Sequence, residues 1–305
     1  MKKHLFGLAL LTASGSLMAQ SAVTLYGVAD AGIGKVKSDG GANRVQMTST
    51  GLMNNRDSLL GVEGVEDLGG GLQAGFNFET ALSLKTGAAD DPFWAGQAHL
   101  WLGGNWGQLT LGRTEHRSTP GILAWELTHD ANYSVVNNTY GYVDGSNADA
   151  ATDSQFSYTT PGFGGVSAEI GYVFKDDNGG NARWDANVVY DNGPLSAGLS
   201  ANKVRNEKTG YALGGQYRFG NYSVAASYSD NRDLRRGFSL GGSTDLGPFA
   251  LTLDLTRDTK NSAGKKYTNG LLEGKYALSR RTFVYAAYLR LDGDNNYGLG
   301  LQHSF

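Results

Sequence analysis

A chain of 305 residues without a single cysteine excludes disulfide scaffolds, thiolate metal clusters and thiol catalysis, and suits passage through an oxidising compartment. Its hydrophobic fraction of 40% is thin for a soluble core, and a formal net charge of −3 argues against a nucleic-acid partner. A closed sheet with lipid outside and water inside needs fewer apolar residues, and the 45 glycines, 16 tyrosines and 12 phenylalanines suit it.

Residues 1–19 read as a secretory signal. Lys2 and Lys3 form the positive start, Leu5–Thr12 the apolar run, and Ala19 before Gln20 the cleavage point, with Leu17 larger than the preferred −3 residue. Removing the two lysines takes the charge from −3 to −5. That run is too short to cross a bilayer, and no later stretch of about 18 apolar residues follows. Residues 20–305 read as one domain, with no linker to divide them.

From Val23 onward the period is two. Leu72, Ala74, Phe76, Phe78 and Thr80 oppose Gln73, Gly75, Asn77 and Glu79. Tyr211, Leu213, Gly215, Tyr217 and Phe219 oppose Ala212, Gly214, Gln216 and Arg218. Phe283, Tyr285, Ala287, Leu289 and Leu291 form the apolar face opposite Val284, Ala286, Tyr288 and Arg290. Tyr297, Leu299, Leu301, His303 and Phe305 end the chain on one face. Segments of about ten residues, apolar and aromatic on one side and polar or small on the other, predict tilted strands between lipid and a wet lumen.

Short turns at 68–71, 103–107, 161–165, 193–194, 220–221, 247–248 and 279–281 alternate with long polar loops. The long ones are 35–55, 83–91, 116–151, 176–181, 206–208, 231–234, 260–265 and 293–295. These fifteen connections predict an all-β, antiparallel transmembrane barrel of about sixteen strands, short turns toward the periplasm and long loops outside. Closure removes the sheet edges and pairs every backbone group within lipid.

The third long segment, His116–Ala151, holds Trp125, Tyr133, Tyr140 and Tyr142, too many aromatics for a disordered stretch, with Glu126, Asp130 and Asp144 among them. Folded into the lumen, it would set its carboxylates against wall charges and select solutes by size and dipole. On sequence alone an external loop is equally consistent.

Several stretches resemble the general diffusion porins of Gram-negative β-proteobacteria: SAVTLYGVADAGIG (21–34), GVEDLGGGLQAGFNFE (64–79), GQLTLGRT (107–114), FSYTTPGFGG (156–165), YALGGQYRFG (211–220), YALSRRTFVYAAY (276–288) and LGLQHSF (299–305). The resemblance runs through nearly the whole mature chain. It implies an outer-membrane homotrimer of sixteen-stranded barrels with the third loop inside each pore, passing small hydrophilic solutes and ions. Outer-membrane lipid surrounds such a barrel, and the barrel-assembly machinery would read its terminal Phe305. No cofactor, metal or catalytic group is implied.

The chain departs from that family where lumen arginines are common: Leu59 and Glu63, Gly96, and Ser157 before Tyr158 stand at such positions, while Arg113 keeps its place. The expected constriction residues are Glu63, Arg113, Glu115, Arg117, Glu126 and Asp130. With most of the arginine wall missing, the pore is expected to be at best weakly anion-selective, or to prefer cations or neutral solutes. Arg113 shares parity with Leu109 and Leu111, which points it at lipid unless Gly112 marks a bulge or the strand lies at a trimer contact.

Other motifs are weak. His4, His99, His116, His129 and His303 have no metal spacing, there is no G-x-S-x-G elbow and no P-loop, and Asp292–Asn296 starts like a calcium loop but places Tyr297 where glycine is needed. A solute-specific channel with Trp125, Tyr133 and Tyr140 as an aromatic track is the nearest rival. A barrel enzyme and a blocked structural barrel stand further off.

Overall fold

The computed structural model describes residues 22–37, 43–141 and 151–305. The expected signal peptide, Tyr142 and Asp144 lie outside the described residues. The strands are β1 (Ala22–Lys35), β2 (Val45–Thr48), β3 (Leu59–Gly69), β4 (Leu72–Ala81), β5 (Gln97–Gly104), β6 (Gly107–Glu115), β7 (Ala151–Thr159), β8 (Val166–Val173) and β9 (Arg183–Asn192). They continue as β10 (Leu195–Val204), β11 (Thr209–Phe219), β12 (Tyr222–Asn231), β13 (Arg235–Leu246), β14 (Phe249–Asn261), β15 (Thr268–Ala277), β16 (Thr282–Leu291) and β17 (Asp294–Ser304). Among the described residues, two short α-helices, α1 (Thr119–Leu123) and α2 (Val135–Tyr140), lie between β6 and β7.

All neighbours pair antiparallel, and β1 closes the ring. Its Val28–Lys35 half pairs with β17 and its Ala22–Val28 half with β3. The four-residue β2 only flanks β1, which leaves the sixteen crossing strands that the turn pattern predicts. Phe305 completes the seam by exchanging backbone hydrogen bonds with Gly27.

Alternation holds because the two sides of the wall meet different solvents. On β14, Phe249, Leu251, Leu253 and Leu255 are exposed outward while Thr252, Asp254 and Thr256 are buried inward. Outward aromatics gather near both ends: Phe249 with Tyr276 (4.6 Å) and Phe219 with Tyr222 (5.8 Å) at the short-turn end, Tyr228 with Phe238 (5.0 Å) and Tyr172 with Trp184 (4.4 Å) at the loop end. Such girdles suit the two membrane–water interfaces.

The expected orientation of β16 is reversed. Tyr285, Ala287, Leu289 and Leu291 are buried inward, while Val284, Ala286, Tyr288 and Arg290 face out. The reason is that this inner face meets protein. Met53, Trp125, Tyr133, Val135, Val136 and Tyr140 pack against Ala212, Leu271, Tyr285 and Leu289 in the hydrophobic core of the described residues. The core thus lies between the third loop and the polar side of the sheet.

The loop reaches across the ring to make this core. It leaves β6, lays α1 on β9 to β11 and α2 on β12 to β16, and bonds through Asn132 to Asp57 before β3 (2.7 Å). The approach of α1 needs glycine on the wall, since a Cβ on Gly198 would sit 1.9 Å from the Gly121 carbonyl oxygen. The Tyr140 hydroxyl lies 3.0 Å from both the Phe238 and Arg257 carbonyl oxygens. Thr139 and Thr256 share a 2.8 Å hydroxyl contact. A buried aromatic side chain removes on the order of 150–250 Å² from water, about 4–6 kcal/mol before ordering entropy.

Candidate pore constriction

With the third loop held against β9 to β16, open space remains beside β3 to β6. A pocket of about 620 Å³ lies there. It is lined by Leu59, Glu79, Gly96 and Gln97 of the wall, by Asp130–Asn132 with Asn137 and Asn138 of the third loop, and by Arg56, Asp57 and Asp90. Arg113 and Glu115 complete it. Asp57, Glu79, Asp90, Glu115 and Asp130 thus face two arginines, Arg56 and Arg113.

Arg113 reaches the pocket at a break in the pairing of its strand, where β7 sets Asp153 and Ser154 against this one residue. Gly112 has φ +130°, and the pairing of β6 with β7 shifts register between Gly112 and Thr114. Beyond that shift Arg113 donates from Nε to the Ala95 carbonyl and pairs with Asp153 at 2.8 Å. Glu79 is fixed from two sides, accepting from the Tyr26 hydroxyl (2.5 Å) and Gln97 Nε2 (3.1 Å). Asp130 accepts from Asn137 Nδ2 at 3.0 Å. Burial pushes the Asp57 carboxyl above its ordinary range, against the hydrogen bond from Asn132, which pulls it down.

The other expected site residues do different work. Arg117 braces the root of the loop, donating to Gln155 Oε1 (3.0 Å) and pairing with Glu169 (3.4 Å). Glu126 is 1% exposed, and both its oxygens are taken within the loop: Thr128 N (2.9 Å) and Asp130 N (3.1 Å) on one, Thr128 Oγ1 (2.7 Å) and Ser134 Oγ (2.8 Å) on the other. Glu63 shares the inner face with Gly61, but lies two residues further toward the short turn and does not line the pocket. Trp125, Tyr133 and Tyr140 are buried at 1%, 0% and 2%, so they form the loop–wall core and not a track for solutes.

Sequence reading missed Arg56, Asp57 and Asp90. Alternation placed Glu79 on the inner face but gave no depth, and the other three lie in loops where no period operates.

The family model for Gram-negative porins matches residues 7–296. The chain belongs to the Gram-negative porin family. Outer membrane porin protein 32 of Delftia acidovorans is 35% identical over 237 residues, 72% of this chain and 67% of its own. Major outer membrane protein P.IB of Neisseria meningitidis serogroup B is 28% identical, with both chains covered in full. Among solved structures, the anion-selective porin from Comamonas acidovorans superposes with a TM-score of 0.77 at 25% identity, covering 94% of this chain and all of that one. This porin is therefore a multi-pass barrel of the outer membrane and a channel for passive diffusion, as its resemblance implied.

Proposed function

We propose that this porin prefers cations, or passes neutral solutes with little charge discrimination, and that its selective passage is the pocket beside the third loop. The observation that carries the reading is the charge set there, five carboxylates against two arginines. Leu59 and Gly96, where related porins often carry arginine, both line it. Glu115 and Asp130 belong to the pocket with Arg113, whereas Glu126 and Arg117 shape and anchor the loop. The sign of this field is opposite to what an anion-selective pore needs.

Passage is passive and involves no chemistry on the solute. The working form is a homotrimer in outer-membrane lipid, assembled by machinery that reads Phe305, as the family resemblance implies. The deciding experiment is the reversal potential of the mature protein in a planar bilayer under a KCl gradient. Stepwise conductance with potassium preference, or near-neutral behaviour, is expected. Strong chloride preference would leave the pore intact but refute the charge reading.

A further inference from the structure

The end of the first long loop turns inward and is clasped between the barrel wall and the third loop. Met53 and Asn54 are 1% and 0% exposed. A Cβ on Gly298 of β17 would stand 3.0 Å from the Met53 Cβ, so this segment lies directly on the inner wall. On its other side Asn55 Nδ2 donates to the Tyr133 hydroxyl (2.8 Å), the Asn132 N–H to the Asn55 carbonyl (3.0 Å) and Asn132 Nδ2 to the Gly51 carbonyl (3.2 Å). Arg56 and Asp57, which line the pocket, are the next two residues in the chain.

One wall residue gathers the bonds that hold the segment. Asp30 on β1, opposite Gln302 of β17, is fully buried. Its Oδ1 accepts from Asn54 Nδ2 (2.9 Å) and the Tyr285 hydroxyl (2.6 Å), and its Oδ2 from the Arg56 N–H (3.0 Å). Its backbone N–H donates to Ser58 Oγ (2.8 Å), and that hydroxyl donates to the Asp30 carbonyl (3.0 Å). Residues 54, 56 and 58 are thus all bonded to one residue. A buried carboxylate is costly unless its oxygens are bonded, and charge-assisted bonds fix the donors that make them. A carboxylate that served the barrel seam alone would draw its donors from neighbouring strands, yet two of these three come from the inserted segment. The third, Tyr285, sets its ring 5.9 Å from that of Tyr133 and so ties the same carboxylate to the core under the third loop.

We propose that Asp30 is a positioning residue for selectivity: its carboxylate sets where Arg56 and Asp57 stand in the passage without itself facing the solute. Asp30 is not one of the residues lining the pocket, and the N–H that it holds belongs to one of the pocket's two arginines. The assignment rests on the pocket being the passage and is independent of the sign of its selectivity.

The chain has no cysteine, so Arg56→Cys in the full mature protein gives a single reporter thiol. A cationic methanethiosulfonate reagent is added to open channels in a planar bilayer, and the drop in current on modification is recorded. In this background Asp30→Asn turns one acceptor oxygen into an NH₂ facing donors, and Tyr285→Phe removes one donor while keeping the carboxylate. Ser227→Ala, which removes a buried hydrogen bond between β12 and β13, is the control for general loosening of the wall. Heat-modifiable mobility on gels checks folding, and Tyr285→Phe carries the test should Asp30→Asn not fold. A discrete drop in the parent is expected, shrinking at least about twofold in Asp30→Asn and less in Tyr285→Phe as the segment leaves its place, and unchanged in Ser227→Ala. An unchanged drop in the folded Asp30 or Tyr285 variant, or an equal loss in Ser227→Ala, would overturn the role of Asp30 alone. No drop in the parent would sink the pocket as the passage, and the assignment with it.

Discussion

Gly112 is a single residue on which the pore's charge arrangement turns. Its φ of +130° is one that side-chain-bearing residues rarely adopt, and a Cβ there would lie 2.4 Å from the Ala98 carbonyl oxygen. Gly112→Ala is expected to cost about 1–3 kcal/mol, lowering the temperature at which the folded band disappears on heat-modified gels, and to move the reversal potential by re-aiming Arg113. A variant that melts and conducts like the parent would remove the bulge from the account. Asp57 gives a pH-dependent counterpart. Its carboxyl titrates above the unfolded value of about 3.9, so between the two values the folded chain holds a proton that the unfolded chain lacks. Stability contributed by this group therefore rises as pH falls through that window and is lost as pH rises. The pocket meanwhile loses one negative charge at a pH where ordinary aspartates are still ionised. Cation preference is expected to decline first in that window. Asp57→Asn keeps an oxygen for Asn132 and should start from a lower preference and lack the early step; superimposable pH profiles would refute this.

The third loop is the element that packs on the inner wall and leaves the pocket beside β3 to β6. Its shape depends on Glu126, whose four donors close the turn between α1 and α2. In Glu126→Gln one of those oxygens becomes an NH₂ facing donors, and a buried mismatch of this kind costs about 1–3 kcal/mol or more. The expected result is a looser loop, read as higher and noisier single-channel conductance, with the melting of the barrel little changed; quiet channels of parental size would argue against this role. The loop also shows how far the sequence could be read. Strand count, turns and most faces were legible because lipid and water impose a period of two on every strand between them. The β16 orientation was not, because Tyr285 and Leu289 face a loop and obey the pattern of a core. Nor was the loop's path, which depends on Gly198 and Gly214, far along the chain, leaving room for Gly121 and Trp125. The lone Gly112 inside a strand pattern did give warning of a bulge, whereas nothing local marked Arg56 and Asp57 as lining residues.

At the scale of the whole molecule, the pore's charge reading makes a prediction about salt. One unit charge about 6 Å from a passing ion in water contributes about 0.7 kcal/mol, roughly a threefold factor in the ion's local concentration. Five carboxylates against two arginines can therefore bias passage clearly, but only while their fields reach across the opening. The Debye length is about 10 Å at 0.1 M salt and about 3 Å at 1 M, so the reach shrinks from the size of the pocket to that of a single side chain. Cation preference measured by reversal potential should accordingly fall toward unity between these concentrations while conductance keeps rising. Leu59→Arg combined with Glu79→Gln changes the balance from five against two to four against three. It should move the reversal potential toward chloride at low salt and have little effect at high salt. Because Glu79 accepts from Tyr26 and Gln97, Leu59→Arg alone serves as the variant that leaves those bonds intact, with a smaller shift of the same sign. A preference that ignores salt would mean that size and shape, rather than this field, choose which ions pass.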